Sequence, residues 1–138
     1  MIFFHRDGNT AAAFHEKCDD KGPTIVIAKI KNSEQIVGGY NPLDWKPVEF
    51  NSDYYKSTND SFIFTFTDRN NLQTAKVNYP SNKYSIYCSS DRGPMFDFDL
   101  ACYNNGNWIR NSHTYSDIDS IPYSFIVNDY EVFQIKHE

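Results

Sequence analysis

The spacing of apolar residues near the start of the chain predicts one short helix. Four positions at i, i+3, i+4 and i+7 share one helical face: Ala11, Phe14, His15 and Cys18. Thr10 can cap the first turn, because its hydroxyl can accept a bond from a free backbone N–H. Gly22 and Pro23 follow the last turn, so the helix is expected to end near Asp20.

A hairpin is predicted to follow the helix. Residues 24–30 are mostly β-branched and almost continuously apolar, which favours a strand covered on both faces. Polar residues 31–34 supply a turn, and residues 35–40 return as a second strand. Gly38 and Gly39 leave that strand without side chains, so a bulky group is expected against its backbone. We expect Trp45 to be that group.

Alternating segments predict further strands. Residues 46–60 show no period and are interpreted as a loop anchored by Tyr54 and Tyr55. Residues 61–67 form a half-buried strand in which one face, expected to be the buried one, carries Phe62, Phe64 and Phe66. After a turn at 68–71, strands are predicted at 72–77 and 83–88. The second of these carries on one side Tyr84, Ile86 and Cys88.

The last third of the chain alternates again. One strand is predicted to direct Phe96, Phe98, Leu100 and Cys102 to one face, and Asp97, Asp99, Ala101 and Tyr103 to an acidic edge or solvent face. A tight turn at 104–107 leads to a partner strand from Trp108. Residues 110–122 are interpreted as a long surface loop, and 123–135 as a terminal strand. One helix and about eight strands predict a mainly β, α+β domain with two packed antiparallel sheets.

Composition narrows the protein class. The 138 residues fit one domain, and 17% aromatic residues indicate a packed core. A net charge of −5, with lysines and arginines scattered, disfavours nucleic acid as a partner. No apolar run reaches the ~20 residues that cross a bilayer, so no membrane insertion is expected. Three widely spaced cysteines, Cys18, Cys88 and Cys102, fit a reducing, cytoplasmic location better than a disulfide framework.

Two residue pairs could carry chemistry. His15 and Cys18 could be metal ligands, but a zinc site needs four, so packing on the helix face is the favoured interpretation. Asp97 and Asp99 could act as an acid–base pair, although two carboxylates on one strand are more often a solvated face. No catalytic motif occurs. We therefore expect no enzymatic activity, no cofactor and no metal.

Four groups of residues follow one another in order along the chain. The first group contains Arg6, Asp7, Gly8, Phe14, Cys18, Asp19, Gly22, Gly38, Gly39, Tyr40 and Trp45. The others contain Phe62 and Phe64; Gly93, Pro94, Phe96, Asp99 and Leu100; and Glu131, Val132 and Phe133. Together these groups resemble a known family, the TLDc domain of oxidation resistance proteins, most closely its fungal members. All of these residues are expected to be structural. Asp97 departs from the pattern, because the family typically has glycine there.

The resemblance implies a β-sandwich flanked by helices, without an established reaction, linked to resistance to oxidative stress. Some members bind and regulate the vacuolar proton-pumping ATPase. The chain is expected to be a single TLDc-like domain over 1–138 that lacks the family's usual N-terminal start, either as a fragment or with a shortened first strand. One alternative is an adaptor module of a larger BTB or repeat protein that binds through Tyr54 and Tyr55 or through Trp108. Another is a hydrolase that uses Asp97 and Asp99.

Overall fold

One α-helix and eleven strands are found in the computed structural model, which describes residues 1–4, 10–46, 54–104, 106–111, 114–115 and 120–136. The helix is α1 (Ala11–Cys18). The strands are β1 (Phe3–Phe4), β2 (Thr24–Ile30), β3 (Ile36–Asn41), β4 (Tyr54–Ser57), β5 (Phe62–Phe66), β6 (Ala75–Asn78), β7 (Tyr84–Cys88), β8 (Met95–Phe96), β9 (Leu100–Asn104), β10 (Asn107–Ile109) and β11 (Ser124–Gln134). Of the family-motif residues, Arg6, Asp7 and Gly8 lie outside the described ranges.

The helix follows its sequence signals. The Thr10 hydroxyl accepts a hydrogen bond from the Ala13 N–H at 3.1 Å, which is the predicted N-cap. Asp19 is the C-cap, and the chain then passes through left-handed backbone at Asp20 (φ 63°) and Gly22 (φ 68°). Phe14 and Cys18 are fully buried on the predicted face. The predicted helix is therefore confirmed at both ends.

The nine-stranded antiparallel sheet folds back on itself as a sandwich. Its order is β6-β5-β3-β2-β11-β10-β9-β8, with β1 also on β11, while β4 and β7 form a separate two-stranded sheet. Although four strands separate β3 from β8, the Phe96 ring of β8 lies directly over Gly39 of β3. Strand β11 joins the two layers, because residues 124–126 pair with β10 and residues 127–134 pair with β2. The predicted two-layer α+β architecture is confirmed.

The space beside the two glycines is filled by rings other than the expected one and, at Gly38, also by the Val26 carbonyl oxygen. A Cβ atom at Gly39 would lie 2.6 Å from the Phe96 ring, and one at Gly38 would lie 2.5 Å from the Phe64 ring. Trp45 stands behind Phe96, with ring centroids 5.4 Å apart, and donates from Nε1 to the Thr24 hydroxyl at 2.8 Å. The predicted space beside the glycine backbone exists, but the prediction that Trp45 fills it is wrong.

Two strands differ from prediction in which face is buried. In β2 the residues alternate between buried and half-buried, so the strand is not covered equally on both faces. In β5, Ile63 and Thr65 face the core. The predicted buried face is wrong, because the opposite, half-buried face carries Phe62, Phe64 and Phe66.

Three segments also differ in structure. Part of the predicted 46–60 loop is strand β4, and the start of the predicted 72–77 strand is a single 3-10 turn at Leu72–Thr74. Tyr84 is exposed, whereas Ile86 and Cys88 of the same strand are buried. Residues 110–122 are not a surface loop where the structure describes them. Their inward-facing members are Arg110, Thr114, Tyr115 and Ile121.

Candidate functional site

A tight hairpin carries the two candidate acids. Met95 pairs with Ala101 and Phe96 with Leu100, so the single strand predicted over 96–103 is instead β8, a turn and β9. Asp97 occupies left-handed backbone with φ 53°, a conformation that glycine adopts most easily and that Asp tolerates. Aspartate can therefore occupy a turn position at which the resemblance leads us to expect glycine.

Asp99 fixes a neighbouring segment of backbone. Its carboxylate is fully buried and accepts hydrogen bonds from the Thr114 N–H at 3.0 and 3.1 Å and from the Tyr115 N–H at 2.6 Å. These charge-assisted bonds draw residues 114–115 inward. The prediction that the Asp97 and Asp99 side chains form a solvated acidic face is therefore wrong.

Asp97 borders a cleft of about 450 Å³ whose other walls are Tyr55, Asn82, Tyr84 and Thr114. The Tyr55 hydroxyl donates to its carboxylate at 3.0 Å, and the Thr114 hydroxyl donates to it as well. Desolvation of its hydroxyl, and then the bond to the Asp97 carboxylate, raise the pKa of Tyr55 to about 12, although the residue as a whole is partly exposed. Tyr55 is thus held as a neutral phenol with its proton directed at Asp97.

The two carboxylates are not arranged across one substrate position. Asp97 reaches the cleft, whereas Asp99 lies behind it and bonds to main-chain amides. A general acid–base pair needs both groups within hydrogen-bond reach of the reacting atoms. The geometry therefore gives Asp99 a structural role and leaves Asp97 as the carboxylate that a ligand can approach.

His15 ties the helix to a loop rather than to a metal. Its Nδ1 lies 2.7 Å from an Asp19 carboxylate oxygen, and its Nε2 lies 2.7 Å from the Ser89 carbonyl and 2.9 Å from the Arg92 carbonyl. Burial lowers the pKa of His15, but the Asp19 carboxylate and the two carbonyls outweigh it and raise the pKa overall. Within the described ranges, no group of three or more His, Cys, Asp or Glu residues is placed to hold a metal.

The three cysteines are free and buried. Burial is the main cause that raises the pKa of each thiol, for Cys18, Cys88 and Cys102 alike, to about 12. The thiolate is the reactive species, and a thiol with a pKa raised this far stays protonated. These side chains therefore pack as small apolar groups.

The outer surface of one layer carries a continuous group of apolar side chains that we call the aromatic face: Tyr40, Phe62, Phe64, Phe66, Val77 and Tyr79. Successive ring centroids lie 5.4 Å apart for Tyr40 and Phe62, 6.4 Å for Phe62 and Phe64, and 6.2 Å for Phe64 and Phe66. Tyr79 lies 5.9 Å from Phe62 at the edge of the sheet. Sequence analysis missed this surface because it assigned these phenylalanines to the core.

The family-motif residues within the described ranges lie mainly in the core. Those buried are Phe14, Cys18, Gly38, Gly39, Trp45, Gly93, Pro94, Phe96, Asp99, Leu100 and Val132. Those half-buried are Asp19, Gly22, Tyr40, Phe62, Phe64, Glu131 and Phe133. Trp108, which was expected to be an exposed binding residue, is fully buried, so that prediction is wrong.

The model of the TLDc domain matches residues 4–136, nearly the whole chain. The chain belongs to the TLDc domain family. A search of curated proteins gave no match. As a member of this family, the domain is related to oxidative stress. The family also suggests interaction with proteins. In the described part of the chain, no helix is long and apolar enough to cross a membrane.

Proposed function

We propose that this TLDc domain is a non-enzymatic protein-interaction domain that acts in oxidative stress resistance by binding and regulating the peripheral sector of the vacuolar proton-pumping ATPase. The aromatic face carries the proposal, because a continuous, partly exposed apolar surface is typical of binding sites for proteins. Val77 and Tyr79 are 51% and 60% exposed at its edge. Aromatic side chains are also enriched among residues that dominate binding energy.

The buried, protonated cysteines support resistance to oxidative stress through binding of a protein rather than through reaction of thiols. All three thiols are buried, and their pKa values of about 12 keep them protonated at neutral pH. A cytoplasmic location is part of the proposal, since free cysteines persist in reducing compartments.

Binding of purified domain to the purified peripheral sector of the pump tests this proposal. Val77→Lys places a charge on the aromatic face and should weaken binding at least about tenfold, equivalent to ~1.4 kcal/mol. Ile126→Lys is the matched control, because Ile126 is a strand residue that is 48% exposed, close to the 51% of Val77. No retention of wild-type domain at micromolar concentration would count against the pump as partner. An equal loss of binding affinity in both variants would exclude the aromatic face as the interface.

An adaptor module of a larger protein is the second candidate function. Tyr54 and Tyr55 favour it, because each is 41% exposed on the short strand β4. Recovery of unrelated partners, but not the pump, in a pull-down that Tyr54→Ser abolishes would support this function. Unchanged recovery by Tyr54→Ser would exclude β4 as its binding surface.

A further inference from the structure

The cleft beside Asp97 holds a carboxylate that forms no ion pair among the described residues. The Asp97 side chain is only 5% exposed, and its two bonding partners, Tyr55 and Thr114, are neutral hydroxyls. The described ion pairs involve other acids: Asp19, Asp20 and Glu34. Because a buried carboxylate is unfavourable without an opposite charge, a positive ligand would gain from binding here.

The other polar atoms of the cleft are suited to accept hydrogen bonds. The Thr114 hydroxyl hydrogen is directed at Asp97, which leaves the lone pairs of its oxygen for a ligand. The Asn82 side-chain oxygen Oδ1 accepts one bond from the Tyr84 N–H at 2.9 Å and can accept another. The ligand that matches these three acceptor groups, Asp97, Thr114 and Asn82, carries several N–H donors and a positive charge.

Aromatic rings form the remaining walls. Tyr55 and Tyr84 lie with ring centroids 6.4 Å apart and planes at 72°. The Lys83 ammonium already lies 5.5 Å from the Tyr84 centroid, within the range of a cation–π contact. A carboxylate with two tyrosines around it recognises an organic cation by charge and by ring faces together.

We propose that this cleft binds an organic ammonium ion, either a free alkylamine or the side chain of a lysine in a bound protein. The site is distinct from the aromatic face and does not depend on the proposed partner. Asp97 would accept from the ammonium group, Thr114 and Asn82 would complete its hydrogen bonds, and Tyr55 and Tyr84 would contact its alkyl chain and charge.

Titration of the 15N-labelled domain with two probes tests the proposal. The charged probes are n-butylammonium and a Gly-Lys-Gly peptide with an acetylated N-terminus and an amidated C-terminus. The neutral controls are 1-butanol and the same peptide with Nε-acetyllysine in place of lysine. Both charged probes should saturate below about 50 mM and shift the amides of Thr114 and Tyr84, whereas the neutral controls should not. Tighter binding of the peptide would identify a protein lysine as the source, and equal binding would identify a free amine.

Two variants give the decisive comparison. Asp97→Asn keeps a residue type that tolerates left-handed backbone, and it should weaken both charged probes at least about tenfold. Tyr84→Leu should weaken them about threefold or more, whereas Tyr123→Leu, at an exposed tyrosine outside the cleft, should leave binding unchanged. The proposal is overturned if neither charged probe saturates, or if Asp97→Asn binds as tightly as wild type. Failure of pump binding would leave these results unaffected.

Discussion

Gly38 and Gly39 are neighbours in β3, but different atoms occupy the space beside each. Next to Gly39 are three atoms of the Phe96 ring, at 2.6 to 2.8 Å from an added Cβ. Gly39→Ala should therefore destabilise the fold by about 1–3 kcal/mol through overpacking. Urea unfolding measures this loss, and Phe96→Leu in the same chain should recover part of it.

Gly38→Ala is the comparison that tests whether contact with a side chain causes the loss of stability. An added Cβ there would lie 2.0 Å from the Val26 carbonyl oxygen, which belongs to the backbone of β2. Truncation of the Phe64 ring should therefore restore little stability. If Phe96→Leu and Phe64→Leu rescued the two glycine variants equally, contact with side chains alone would explain both.

The glycine pair shows how much of the structure single residues in the sequence can predict. Two glycines inside a strand indicate that something approaches the backbone, and this was predicted correctly. The identity of the ring depends on how β8 folds over β3, a contact between distant parts of the chain. The same applies to Asp97 and Asp99, whose alternation suggested a solvated strand until the turn placed both inside.

Helix α1 is held to the loop at residues 89–92 by His15, whose two ring nitrogens both lie against oxygen acceptors. A histidine with both ring nitrogens beside oxygen acceptors satisfies both contacts only when it is protonated. The raised pKa of His15 means that the native state holds this proton more strongly than the unfolded state. The stabilisation is complete below the unfolded pKa of about 6.5 and is lost as pH rises through the higher native value.

Unfolding free energies measured by urea from pH 5.5 to about 9 test this linkage. The difference between wild type and His15→Gln should be largest at the acidic end and should shrink as pH rises. Comparison with this variant removes the contribution of His5, His113 and His137, which both proteins share. A difference that is constant with pH would contradict a protonated His15.

Strand β5 shows why the existence of an element is easier to predict than its orientation. Alternation over 61–67 correctly indicated a strand, and hydrophobicity assigned the phenylalanines to the core. The register places Ile63 opposite Gly39 and Phe64 opposite Gly38, with Ile63 on the face that packs against β8. The core-facing side of β5 carries Ile63 and Thr65 and is less apolar than the side with the three phenylalanines, so hydrophobicity alone indicated the wrong face.

The packing of the whole domain protects its thiols. All three cysteines are buried, and their pKa values lie near 12. Labelling with a disulfide reagent should be at least about 100-fold slower than for free cysteine, and it should accelerate with added denaturant. Absorbance of the released thiolate measures the rate, with fully unfolded protein as the reference for three equivalents. Rapid labelling of one equivalent in native buffer would contradict this protection.

At the level of the molecule, the sequence supported the fold class and the family because both depend on many positions. The helix, the first hairpin and the terminal strand were all predicted close to their observed bounds. The cleft beside Asp97 was not predictable. It combines Tyr55 of β4, Asn82, Asp97 and Thr114, which are far apart in the chain and converge only when β4, β7 and the β8–β9 turn assemble.

Strand β11 follows all the other described strands in sequence, yet it bonds to β1, β2 and β10. During translation, a nascent chain that ends before Ser124 would leave β2 and β10 without the strand between them. Such unpaired strands are prone to aggregation, and pairing over long sequence separations is slow. The sheet would therefore close only after β11 has left the ribosome, which makes the emerging domain a client for chaperones until synthesis of that strand is complete.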